Sequence, residues 1–244
     1  SLNKANYYSN DADWHYQSAT QFKGFMACEA AELAQLKGEW EPQRDPTALL
    51  VGNYLHSYFE SPAAHQKFLD EHPEIMATTG KNRGQPKAPY QVADKMIEAL
   101  SSDDTFNRLY QGEKEAIVTG TIGGVEWMGK LDCLPYNHRY FVDLKTTQDI
   151  HKRYKIEDTG DWGSFIEKYR YPLQMAVYQE LIRQQYGAEA SPLIVAVSKQ
   201  YPPDKAIVSI PQELLDYWLH RIEDEQPRIE AVKNGELEPK RCQH

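Results

Sequence analysis

The chain has 244 residues, of which 41% are hydrophobic and 26% charged, the composition of a folded globular protein rather than a fibrous or disordered one. Its net charge of −9 speaks against a surface that wraps nucleic acid nonspecifically and leaves a local basic channel as the alternative. No apolar run approaches the roughly 18–20 residues of a membrane span, and the opening Ser1-Leu2-Asn3-Lys4 lacks the basic-then-apolar order of a secretory signal. The expectation is a cytoplasmic protein with no membrane partner.

Three cysteines, Cys28, Cys133 and Cys242, are odd in number and far apart, which argues against a disulfide framework and is too few for a Cys₄ cluster. Residues 18–37 open with Ser-Ala-Thr-Gln and carry Phe22, Phe25, Met26, Ala30, Leu33 and Leu36, which predicts one amphipathic helix ended by Gly38. A second helix is expected over 46–59, with Leu49, Leu50, Asn53, Leu55 and His56 toward the interior, and shorter ones over 62–71 and 90–99. The Gly-, Pro- and Lys-rich stretch 78–89 reads as a loop.

After Gly112 the pattern changes. Strands are expected over 113–121, 125–134 and 140–146, separated by turns, which makes an antiparallel meander. A long helix is expected over 163–186, with Pro172 starting or kinking it. The run 191–198 is apolar and β-branched, as in a fully buried strand reached by a crossover. An edge strand over 205–210 and a closing helix over 211–233 follow. One domain spanning 1–244 is expected, mainly helical over 1–112, with the sheet and its helices in 113–244.

Within this layout Gly129-Lys130-Leu131-Asp132 and Val142-Asp143-Leu144-Lys145 fall on adjacent strands. Asp143 and Lys145, two apart, project to one side while Leu144 enters the core. Carboxylates are ligands that Mg²⁺ prefers, and a lysine beside them can orient water or offset charge on a phosphodiester. An isolated Asp-x-Lys is more often a salt-bridged hairpin, so the surrounding residues must decide.

Taken together, these residues resemble the PD-(D/E)xK nuclease superfamily, with the first acid, Asp132, on the second strand and Asp143-Leu144-Lys145 on the third. Leu131 stands where the family has proline. His56, in Gly52-Asn53-Tyr54-Leu55-His56, resembles the helix histidine of the RecB-like branch, and Gln174-Met175-Ala176-Val177-Tyr178 resembles its Q-x-x-x-Y. Four residues apart on a helix puts Gln174 and Tyr178 on one face. The subgroup most similar is the RecE, or exonuclease VIII, type.

The resemblance implies an α/β, restriction-endonuclease-like core of order α-β-β-β-α-β around a mixed sheet, with an N-terminal helical elaboration. It implies Mg²⁺, or Mn²⁺ in its place, held by His56, Asp132, Asp143 and the Leu144 carbonyl, with Lys145, Gln174 and Tyr178 completing the catalytic set. Glu115 is a further metal candidate and reads equally well as a solvated strand-end acid. The implied activity is exonucleolytic hydrolysis of linear double-stranded DNA, 5′→3′, by a ring-shaped homo-oligomer, trimer or tetramer, with a single-strand annealing protein as partner. An endonuclease on the same core and a catalytically silent DNA-binding protein are the competing readings.

Overall fold

The computed structural model describes residues 1–242. Ser18 begins α2 (Ala19–Ala27) as the sequence predicts, its hydroxyl accepting the Gln21 N–H at 3.2 Å. The expected single helix over 18–37 is, however, two. Cys28 is extended (φ −163°, ψ 106°) and separates α2 from α3 (Glu29–Leu36). The cause lies some two hundred residues away, where the C-terminal segment docks on this corner: Glu29 accepts bonds from Arg228 at 2.8 and 3.0 Å and from the Lys240 N–H at 2.8 Å. Cys28 is joined to Cys242 there as a disulfide with Cα atoms 5.6 Å apart, which corrects the expectation of unpaired thiols.

A short α1 (Asn10–His15), not expected from sequence, precedes these. Asp45 caps α4 (Pro46–Glu60) through the Thr47 N–H, with Pro46 in the first turn where no amide donor is needed. Val51, Tyr54 and Leu55 form its buried stripe, whereas Leu49 and Asn53, expected inside, face solvent. Three more helices complete the N-terminal part: α5 (Pro62–Glu71), α6 (Ala88–Ser101) and α7 (Asp104–Leu109), the last unforeseen.

The meander forms as expected, with β1 (Glu113–Ile122), β2 (Val125–Leu134) and β3 (Tyr140–Thr147). Gly123 and Gly124 turn the first hairpin with φ of 60° and 77°, a conformation that a side chain resists. A two-stranded hairpin, β4 (Tyr154–Lys155) with β5 (Trp162–Gly163), and the single turn α8 (Phe165–Lys168) come next. The crossover helix α9 (Tyr171–Tyr186) starts later than the expected 163, because Pro172 occupies its first turn. It leads to β6 (Ser191–Ser198), parallel to β3 from Tyr140↔Ser191 to Thr147↔Ser198. Finally β7 (Lys205–Ser209) pairs antiparallel with β6, and α10 (Gln212–Lys233) closes the chain.

The sheet order is β1-β2-β3-β6-β7, a mixed sheet with apolar layers on both faces. Phe22, Trp127, Leu131, Phe141, Leu173, Leu181 and Ile222 build one layer around α2, α9 and α10. Tyr54, Leu55, Met96, Leu144, Val195 and Val197 build the other against α4 and α6. Alternation along β3 thus sends Phe141 to the α9 side and Val142 and Leu144 to the α4 side. No helix among the described residues is long and apolar enough to cross a membrane.

Candidate active site

Strands β2 and β3 share one ladder pair, Cys133↔Val142, and that register puts Asp132 opposite Asp143. Beyond it the backbone ladder gives way to a side chain: the Leu144 N–H donates to Asp132 Oδ2 at 2.6 Å. The gap admits His56 from α4. Its Nε2 stands 3.0 Å from the Leu144 carbonyl oxygen and 3.3 Å from Asp132 Oδ2, while Nδ1 stands 2.8 Å from the Gly52 carbonyl oxygen.

Those contacts pose a proton-counting problem. A neutral imidazole has one N–H, yet both nitrogens of His56 face oxygen acceptors. Two states resolve it. The ring can be an imidazolium, or Nδ1–H can donate to Gly52 while the Nε2 lone pair and the Leu144 and Asp132 oxygens face a shared cation. Burial opposes the charged ring, but the Asp132 carboxylate more than offsets it, and the group is pushed up to about 9.

Asp143 is buried, and its Oδ2 has Lys145 Nζ at 3.0 Å but no well-aligned hydrogen bond. Burial raises its carboxyl above the usual range, with Lys145 opposing and the Asp132 charge adding. Asp132 goes the other way: burial is outweighed by His56 and by the Leu144 N–H, which hold it low. Among the described residues, no three His, Cys, Asp or Glu side chains close around one point as a ready-made cage. The donors gathered here are instead one imidazole, two carboxylates and a backbone carbonyl, a set that fits a hard divalent cation.

Lys145 lies on the α9 side of β3, where it donates to Gln174 Oε1 at 2.8 Å; Gln174 Nε2 in turn donates to the Tyr178 hydroxyl oxygen at 2.9 Å. The Q-x-x-x-Y spacing therefore builds a relay that holds the lysine. Burial works against the Lys145 ammonium, but Asp143 keeps it above the ordinary lysine value, so it is held as a cation. Gly129 on β2 makes room for Tyr178: a Cβ there would meet the ring at 2.8 Å.

Glu115 faces Asp132 across β1 and β2, between the pairs Lys114↔Cys133 and Ala116↔Leu131. It has φ 53° and is ion-paired with Lys130 at 3.0 Å. Burial and the Asp132 charge raise its carboxyl. The basic stretches 81–87 and 151–155 are largely exposed.

Sequence reasoning missed Lys23. It reaches the site from α2, with Nζ 5.5 Å from the centroid of the Tyr171 ring that Lys145 Nζ approaches at 4.4 Å. A lysine inside Phe22-Lys23-Gly24-Phe25, four residues after buried Ala19, was the available signal. Burial, then the Lys145 charge, push Lys23 down to about 7.

Among curated proteins none matches the chain. A solved structure of a protein described as "Putative exonuclease", from Eubacterium rectale, is similar at TM-score 0.90 and 35% identity over 99% of this chain and 90% of that one. Another, of SSO0001, is 14% identical with a TM-score of 0.31 over 76% of this chain and 88% of that one, too distant to carry an argument. The family model described as "PDDEXK-like domain of unknown function (DUF3799)" matches residues 18–244. With its five-stranded mixed sheet and the similarity to that relative, the chain belongs to this PDDEXK-like family and has a nuclease fold.

Proposed function

We propose that the protein is a divalent-metal-dependent deoxyribonuclease that degrades linear double-stranded DNA from its ends. The observation that carries this reading is the meeting of His56 Nε2, the Leu144 carbonyl oxygen and Asp132 Oδ2 within 3.3 Å, beside a lysine held by Asp143 and Gln174. An imidazole, a carboxylate and a carbonyl gathered beside one fixed ammonium suit a cation and a phosphate side by side. The exonuclease assignment draws on the name of the relative from Eubacterium rectale.

His56, Asp132, Asp143 and the Leu144 carbonyl would hold Mg²⁺ or Mn²⁺. Such an ion supplies a lowered pKa for a bound water and neutralises charge on the scissile phosphate. Lys145, kept cationic by Asp143, orients the attacking water and offsets charge on the phosphate oxygens as the 3′ oxygen leaves. Gln174 and Tyr178 fix where that ammonium points. Glu115 joins the metal shell only on release from Lys130. A 5′→3′ direction, a ring-shaped homo-oligomer, a role in recombination and a single-strand annealing partner extend this reading by resemblance, and a cytoplasmic location extends it from the sequence pattern.

Linear duplexes labelled at one 5′ or one 3′ terminus, with covalently closed circles as controls, test the proposal in Mg²⁺. Loss of a 5′ label as mononucleotide, with circles intact, is the expected result. Nicked circles would establish an endonuclease, and full activity in Lys145→Ala would remove the proposed site.

A further inference from the structure

We infer that Lys23 is a second phosphate-binding residue, seated beside the Tyr171 ring that Lys145 also approaches and contacting the DNA strand next to the scissile phosphate. The inference rests on the nuclease reading above and names how its substrate is gripped. The two ammonium groups stand 5.5 and 4.4 Å from the same ring centroid, yet their partners differ sharply. Lys145 has Asp143 at 3.0 Å and Gln174 at 2.8 Å. Lys23 has no hydrogen-bond or ion-pair partner among the described residues; the aromatic face is its one cation-binding neighbour.

Placing a largely enclosed ammonium beside another without a carboxylate of its own is unfavourable, and a tyrosine ring offsets only part of that cost. An anion brought to Lys23 would relieve it. The frame around Tyr171 is fixed: Arg170, just before α9, takes a left-handed conformation (φ 52°, ψ 44°) that a non-glycine residue avoids unless held. Asp158 holds it through two bonds, from Nε at 3.2 Å and Nη2 at 2.9 Å. The Arg170 charge is thereby largely matched, which leaves Lys23 as the cation free to meet substrate. The depressed pKa of Lys23 agrees with this geometry, since burial and then the Lys145 charge disfavour its ammonium by more than the Asp143 carboxylate supports it.

A phosphate is the anion that the reaction brings. Lys145 addresses the phosphate being cut, so a second ammonium at the same Tyr171 ring suits an adjacent phosphate of the same strand. This role is positioning, distinct from the proton and metal chemistry at Asp132 and Asp143.

The test uses the full chain and a short duplex, with Ca²⁺ replacing Mg²⁺ so that binding is read apart from turnover. Affinity is measured across a salt series for wild type, Lys23→Gln and Lys23→Arg, with thermal melting alongside. Loss of one phosphate contact should reduce the slope of log K against log salt by about 0.9. Single-turnover cleavage in Mg²⁺ should fall roughly tenfold or more in Lys23→Gln, with Lys23→Arg within about threefold of wild type. A Lys23→Gln protein with unchanged slope and rate overturns the inference, as does a Lys23→Arg protein that loses binding as fully as Lys23→Gln. A wild type that neither binds nor cuts duplex DNA overturns the nuclease reading itself.

Discussion

Replacing Gln174 with alanine removes two bonds at once: the 2.8 Å bond accepted from Lys145 Nζ and the 2.9 Å bond donated to the Tyr178 hydroxyl oxygen. A hydrogen bond to a charged group contributes about 1.5–3 kcal/mol, and one between neutral groups about 0.5–1.5 kcal/mol. Lys145 would keep Asp143 at 3.0 Å and the Tyr171 face, so its charge survives while its direction does not. If the first bond is fully needed in the transition state, cleavage slows by roughly 10- to 150-fold, since about 1.4 kcal/mol corresponds to a factor of ten. Tyr178→Phe removes the neutral bond alone and should cost about two- to tenfold.

Single-turnover digestion of an end-labelled duplex at saturating Mg²⁺ measures both. The decisive comparison is a double-mutant cycle with Lys145→Ala, run at high enzyme concentration so that residual cleavage is counted. Because Gln174 is placed to act through Lys145, its removal should cost less than about threefold once the lysine is gone. A full Gln174→Ala penalty on the Lys145→Ala background would show that the glutamine acts on the substrate directly and would refute the relay. So would a Gln174→Ala rate within twofold of wild type.

Other outcomes follow from neighbouring contacts. Gly129→Ala would press its methyl into the Tyr178 ring, costing about 1–3 kcal/mol by overpacking, and its rate loss should exceed that of Tyr178→Phe; a thermal melt with the same digestion assay checks both. Burial raises Glu32 to about 7 against 4.5 in the unfolded chain, so folding binds a proton between those values and stability falls as pH rises from about 4.5 to 7. With partial exposure discounted, that penalty is about 1–2 kcal/mol above pH 7, and Glu32→Gln should melt higher than wild type at pH 8 but not at pH 4.5. Millimolar Mg²⁺ should raise the melting temperature of wild type but not of a folded Asp132→Asn/Asp143→Asn variant, because a ligand that binds only the folded state stabilises it; equal shifts in both would place the cation elsewhere.

The strands were legible because their signals are local. Two glycines at positive φ mark the β1–β2 turn, and alternation along β3 fixes which face each side chain takes. Pro172 likewise announced a helix start, although one residue pattern could not say that α8 would stand apart from α9. The break at Cys28 was not legible, since Arg228, Lys240 and Cys242 create it from the other end of the chain. The inward face of α4 was misjudged by including Leu49 and Asn53, both on the side away from the Val51, Tyr54 and Leu55 stripe. Gln174 and Tyr178 could be assigned one helix face from their spacing; the order Lys145 to Gln174 to Tyr178 required the sheet and helix to be packed together.

The first hundred residues supply more than a cover for the sheet. Helix α4 packs with the Leu144 layer and delivers His56 to the oxygen side of the gap between β2 and β3. Helix α2 packs in the opposite layer, with Phe22 against Trp127, and delivers Lys23 to the lysine side at Tyr171. The two helices thus contribute opposite electrostatics: an imidazole from the α4 side and a second ammonium from the α9 side, where Asp143 and Lys145 already lie. A phosphodiester needs both at once, a cation to bear on its oxygens and fixed positive charge to hold it; β3 offers Asp143 and Lys145 from one face, and the helices add His56 and Lys23. Because His56 and Lys23 arrive on helices from opposite layers, a sheet legible on its own still leaves half of the site to distant segments.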